Sequence, residues 1–311
     1  MPSGHLVLVE VRATIGATLL AAALCLGCSD AGRDAIERGD QMLGEGMPEA
    51  AIAEYKLALR HRPDDPEVMV RLGHAYAVSG QIDGTLRYYV PLLASDSTYR
   101  DQIAADLVEA ARAARERGSR ANMVRALAPL LSGGAGHVPA DLRLDQARYL
   151  WEQADYERAL PLYLSVLDQG VAAEEIPAVA WFETARSFEE LGACGESLSY
   201  FASYLQQASR DAPERGSAQW HYGNCLFRVA ERSWETGRGQ SAIANLDRLI
   251  ALGVPRTLLD RAHYLKGEVL LAAGQEAEAL QEFLEVLRLN PARSGPLVPL
   301  AEERVRELRY R

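Results

Sequence analysis

Cysteine and histidine carry most of the redox, metal and nucleophilic chemistry open to a protein, and this chain has four of the first and six of the second. Cys25 and Cys28 stand in C-x-x-C spacing inside the apolar run LAAALCLGCSD. A redox pair of that spacing needs a βαβ frame, and a zinc site needs a second pair of ligands. Neither is supplied: Cys194 and Cys225 are single and distant, and His5, His61, His74, His137, His221 and His263 do not cluster. No two histidines share the i, i+4 spacing of a helical zinc site, and no HExxH, G-x-S-x-G, G-x-x-x-x-G-K-[ST] or G-x-G-x-x-G occurs. The acid pairs Asp64-Asp65, Glu174-Glu175, Glu189-Glu190 and Glu302-Glu303 read as solvated helix ends or faces. The sequence therefore assigns no catalytic residue, no metal and no cofactor, and the chain reads as something other than an enzyme.

The elements that position these residues follow from composition. With 48% hydrophobic residues over 311, the chain can bury one large core or two smaller ones. A net charge of −10 argues against nucleic-acid binding, which normally needs a basic face. Alanine, leucine, glutamate and arginine dominate, all good helix formers, while alternating β-branched runs are missing beyond Leu6–Val11. An all-α fold is expected.

Residues 13–26 run ATIGATLLAAALCL without a charge, with Arg12 just before them. A membrane-spanning helix needs about 20 apolar residues, whereas a secretion signal needs roughly 7–15. The preceding MPSGHLVLVE has no Lys or Arg and includes Glu10, so a start near Val11 would give a more compact leader. LCLGC resembles the lipobox of bacterial lipoproteins, with Gly27 in the small position and Cys28 as the cysteine that is acylated. It departs from that pattern where Cys25 replaces the usual leucine, Leu24 lying one place further back. The resemblance implies a signal peptide over 1–27, a lipid-anchored tether over 28–34, and membrane attachment through Cys28. Ser29 lacks the retention role of an aspartate there, which points to the outer membrane facing the periplasm. An ordinary signal peptide or membrane anchor, and a redox or metal pair, are the other readings of the same residues.

A repeat fills the remainder. AIERGDQMLGEGMPEAAIAEYKLALRHRPDD (35–65) places Gly39, Ala51, Tyr55, Ala58 and Pro63. Thirty-four residues on, MVRLGHAYAVSGQIDGTLRYYVPLL places Leu72-Gly73, Tyr76, Thr85, Tyr89 and Leu92. Near the C-terminus HYLKGEVLLAAGQEAEALQEFLEVLRLNP places Gly267, Leu270, Ala279, Phe283, Val286 and Pro291. These positions resemble the tetratricopeptide repeat. Their physics is consistent: small residues let two amphipathic helices approach, an aromatic four residues after the alanine fills the gap, and proline breaks the chain before the next pair. One pair cannot bury its own apolar face, so pairs stack. Further pairs are expected over 101–132 around Gly118-Ser119, over 140–169 turning at Ala154-Asp155, and over 177–209 with Ala185 and Phe201. A last one is expected over 214–252, with Gly223 and Leu226 in the repeat's roles and a first helix about two turns too long. The expected fold is an α-solenoid, a right-handed superhelix of about seven tetratricopeptide-like helix pairs. Its lobes are 35–132 and 140–293, joined by a linker or long turn at 133–139 (within SGGAGHVP) and closed by a capping helix over 297–311.

In the repeat family the first helix of each pair lines a concave surface where proteins or peptides bind. The resemblance carries that role to Arg148, Trp151, Phe182, Arg186, Trp220, Asn224, Phe227, Arg228 and Tyr264, with Glu268 beside them. Arginine with aromatic residues is the composition of binding hot spots; the same aromatics could instead pack between repeats. In an exporting compartment Cys194 and Cys225 could bridge across neighbouring pairs, or both could be small buried residues. The expected function is a lipid-anchored periplasmic scaffold for protein–protein contacts in envelope assembly: outer-membrane proteins, a secretin or pilus, polysaccharide export, or peptidoglycan enzymes. A soluble periplasmic adaptor, and a helical periplasmic enzyme subunit, are the alternatives.

Overall fold

The computed structural model describes residues 31–95, 98–131, 138–168 and 176–310. The lipobox, Cys28 and most of the expected 133–139 linker lie outside them. The described residues are helical, with no strand among them. In order they are α1 (31–44), α2 (Pro48–His61), α3 (Pro66–Val78), α4 (Ile82–Ser95), α5 (Arg100–Glu116), α6 (Arg120–Leu131), α7 (Ala140–Glu152) and α8 (Tyr156–Leu167). There follow α9 (Ala178–Glu190), α10 (Cys194–Gln207), α11 (Arg215–Glu235), α12 (Gly239–Leu252), α13 (Leu259–Ala272), α14 (Glu276–Leu289) and α15 (Val298–Arg309). The chain divides into two compact units, residues 1–142 and 143–311, the boundary falling in the first turn of α7. Unit 1 holds the pairs α1/α2, α3/α4 and α5/α6; unit 2 holds α7/α8 through α13/α14 and then α15.

The same turn closes every pair. The first helix ends on a left-handed residue: Gly46, Gly80, Gly118, Ala154, Gly192, Gly237 or Gly274, with φ between 59° and 80°. At each, that residue's N–H reaches the carbonyl three back and the next N–H reaches the carbonyl five back, as in Gly118 to Arg115 and Ser119 to Ala114. This is the Schellman arrangement, which satisfies the last carbonyls of a helix while reversing the chain. It gives the α5/α6 pair, which has little other repeat signature, the geometry of its neighbours.

Packing within a pair rests on a small residue in the first helix and a large one sixteen positions later in the second. A Cβ built on Gly39 would fall 2.5 Å from the Tyr55 ring, and one on Gly267 would fall 2.7 Å from Phe283; Gly73 meets Tyr89 in the same way. Ala111 with Leu127, Ala147 with Tyr163, Ala185 with Phe201 and Ala230 with Leu246 occupy equivalent positions, and all eight are completely buried. Ala230 corrects the expected register of the long helix. α11 has 21 residues against 13 in α9 and 14 in α13. Its small position lies seven residues beyond Gly223, which instead packs against the Val254 carbonyl and the Pro255 ring.

The closing helix α15 buries Val298, Ala301 and Val305, the last two against the α13/α14 pair, and leaves its other face charged. That polar outer face is what the end of a helical stack needs to stay in water. Among the described residues no helix is long and apolar enough to cross a membrane.

Candidate functional site

In six of the seven pairs the residue immediately after the small position of the first helix makes a polar contact with the first helix of the next pair or, at the end, with α15. In unit 1, Asp40 on α1 accepts from Arg71 Nε on α3 (3.0 Å) and from the Tyr55 hydroxyl (2.6 Å). His74 on α3 lies 3.0 Å from Asp106 on α5, and the buried Tyr89 hydroxyl donates to the same carboxylate. The contact with Asp106 holds the His74 imidazole above its ordinary pKa despite partial burial.

Unit 2 continues the pattern. Arg148 on α7 donates to Glu183 on α9 (3.0 Å), whose carboxylate also accepts from the Tyr163 hydroxyl (3.0 Å). Glu183 is buried, and that burial pushes its carboxyl up in spite of Arg148. Arg186 bonds Glu189 (2.6 Å) and Glu190 on its own helix and touches His221 of α11, whose Nδ1 is 2.9 Å from Glu189. Burial alone would raise the Glu189 carboxyl, but His221 and Arg186 hold it below the usual range. Glu231 on α11 meets Arg261 of α13 at 3.3 Å, and Glu268 on α13 takes a two-point contact from Arg304 of α15 at 2.8 and 3.0 Å. A forked guanidinium on a carboxylate fixes both distance and orientation, so this ladder sets the stacking of one pair on the next.

These contacts redistribute the expected binding residues. Phe182 and Phe227 belong to the core: Phe182 packs on Phe201 and Tyr204, and Phe227 lies beneath the Arg261 guanidinium at 4.6 Å. Their rings are enclosed by neighbouring helices and cannot meet a partner. Arg148 and Arg186 are engaged inside the stack, as described. Trp151 is half-buried and edge-on to Tyr156, and Tyr264 is half-buried against Phe283. Asn224 donates to the Trp220 carbonyl at 2.7 Å. Trp220 keeps 49% of its surface exposed while resting edge-on against His221, and Arg228 is exposed. Trp220 and Arg228 therefore remain as the accessible members of the set.

Cys194, the first residue of α10, and Cys225, in the middle of α11, are joined as a disulfide with Cα atoms 5.1 Å apart. Both are buried. Next to this bridge a recess of about 380 Å³ is bounded by Gly192–Glu196, by Arg228, Arg232 and Ser233 of α11, and by Arg238 and Ser241 at the start of α12. A smaller recess of about 220 Å³ in unit 1 is bounded by His74, Ala77, Val78, Asp106 and Glu109. Sequence reasoning found neither recess nor the ladder residues Asp40, His74, Glu183, Glu231, Arg261 and Arg304. The signal available was the polar residue following each small position, at Asp40, His74, Arg148, Arg186, Glu231 and Glu268. Among the described residues no group of three or more His, Cys, Asp or Glu could hold a metal ion.

The tetratricopeptide repeat model matches residues 144–212 and 230–294. Both matches lie in unit 2, and the gap between them, 213–229, contains the first 15 residues of α11 and ends just before Ala230, where the small position falls. Among solved structures the chain is similar to a tetratricopeptide repeat protein from Parabacteroides merdae, at 16% identity over 90% of this chain and 99% of that one, TM-score 0.32. It is also similar to the C-terminal part of a repeat-containing protein from Cytophaga hutchinsonii, at 12% identity over 86% and 98%, TM-score 0.36. A third is the TPR2AB domain of yeast Sti1 in complex with pHSP90, at 13% identity over 90% and 99%, TM-score 0.33. No curated protein matches the chain.

Proposed function

We propose that this chain is an interaction scaffold of the bacterial envelope, exported, attached by lipid on Cys28 to the outer membrane and facing the periplasm, where it holds a protein partner in envelope assembly. The repeats over 144–212 and 230–294 carry the scaffold reading, because stacked helix pairs present extended side-chain surfaces suited to a protein or peptide partner. The Cys194–Cys225 bridge supports export, since disulfides persist in oxidising compartments and are rare in the cytosol. The apolar leader ahead of Gly27-Cys28 supports the lipid anchor, and two or more acyl chains hold a protein at a membrane where a single one is marginal.

Mass spectrometry of the chain recovered from the membranes of a Gram-negative host tests the anchor. The expected mature N-terminus is Cys28 carrying diacylglycerol, and Cys28→Ser should move the protein out of the membrane fraction. An unmodified Cys28 inside an uncleaved chain, or equal membrane association of the Cys28→Ser variant, contradicts it.

A further inference from the structure

The recess beside the disulfide is lined by three arginines, Arg228, Arg232 and Arg238, and one acid, Glu196. Several arginines of unit 2 meet carboxylates: Arg148, Arg186, Arg261 and Arg304 each have an acid within 3.3 Å, while Arg215 and Arg248 donate to carbonyl or hydroxyl oxygens. Arg228 and Arg232 are exposed and have no such partner among the described residues; Arg238 donates from Nε to the Thr236 hydroxyl at 3.1 Å and is likewise without an acid. Arg228 and Arg232 are one helical turn apart on α11, where like charges repel each other. Three arginines against the single carboxylate of Glu196 leave this recess with a local positive charge in a chain of net charge −10, which an acidic ligand would complement. The starts of α10 and α12 border the same recess, and neither has a side-chain cap on its first-turn amides. The Cys194–Cys225 bridge pins the α10 start to α11, so the two walls are held at a fixed separation.

We propose that this recess is a docking subsite for an acidic segment of the protein partner, an extended stretch with neighbouring Asp or Glu side chains. The proposal deepens the scaffold reading and rests on it. Arg228 and Arg232 present guanidinium forks that match carboxylates in two-point contacts, while Arg238 closes the side nearest α12. The volume, about 380 Å³, suits side chains of an extended segment better than a folded element. Glu196 at the rim would repel a segment entering from that side and so orient the chain.

The test is fluorescence anisotropy with the oxidised mature protein and a labelled peptide of alternating Glu and Asp, compared with the same peptide in Gln and Asn. Variants are Arg228→Gln with Arg232→Gln, and Arg210→Gln as an exposed arginine outside the recess. Circular dichroism melting checks that each variant is folded. The acidic peptide should bind and the amide peptide should not. The double variant should lose tenfold or more in affinity while Arg210→Gln changes it less than twofold. Equal binding to wild type and double variant, equal binding of the amide peptide, or no binding of the acidic peptide at low salt overturns the proposal. Displacement of the peptide by equimolar inorganic phosphate also overturns it, showing a general anion patch. Partner cross-linking from position 220 separates this from the scaffold reading. The scaffold fails if wild type captures nothing, whereas the subsite alone fails if the double variant captures the partner as efficiently as wild type.

Discussion

Ala154 sits at φ 59° in a turn position that the six other pairs fill with glycine. A Cβ in the left-handed region costs roughly 1–2 kcal/mol, and only part of that returns through a stiffer unfolded chain. Ala154→Gly should therefore stabilise unit 2 by roughly 0.5–1 kcal/mol, measured as a higher urea midpoint with unchanged slope. His74 gives a residue-scale prediction of opposite character. Its folded pKa is raised by Asp106 above the unfolded value of 6.5, so its contribution is fully present below that value and fades as pH rises through the folded pKa. Wild type should lose stability from unit 1 across that window, and His74→Gln should flatten this part of the profile. An NMR titration showing His74 at or below 6.5 would remove the basis for it.

At the scale of helices, the ladder predicts an asymmetry between single and paired changes. Arg148→Ala leaves Glu183 buried without its cation, a loss of about 3–5 kcal/mol. Replacing both, with Arg148→Met and Glu183→Gln, should recover most of it, because Tyr163 can still donate to the amide oxygen. Chemical denaturation of the two variants checks this. The disulfide closes a loop with a sequence separation of 31 residues, worth about 2–4 kcal/mol through restriction of the unfolded chain. Serine at both Cys194 and Cys225 should lower the melting temperature and, by loosening the α10 start, weaken acidic-peptide binding. The pairs themselves were legible in sequence because Gly39/Tyr55, Gly73/Tyr89 and Gly267/Phe283 each state a packing contact in residue types alone. The α11 register was not, since Gly223 is as small as Ala230 and only the Val254–Pro255 loop reveals what Gly223 makes room for.

At the scale of the whole molecule, the repeat class follows from sequence, whereas the binding surface does not follow by transfer of positions. Phe182 and Phe227 looked like partner contacts because they lie on first helices, yet burial depends on where the next pair lands. Arg148 and Arg186 stood among the expected partner contacts, but Glu183 and His221, each 35 residues away in sequence, engage them once the helices are stacked. What survives as accessible is Trp220 on the extended part of α11 and the arginines around the disulfide recess, a surface found only once the helices are stacked. The most direct measurement of the central claim is photo-cross-linking in intact envelopes from a reactive residue substituted at Trp220, with Cys28→Ser in parallel. A discrete protein adduct from the anchored chain, reduced when the anchor is removed, is the expected result. Absence of any adduct from the membrane-attached protein, with Arg210 substituted in the same way giving the same blank, would contradict the account of this chain as an envelope scaffold.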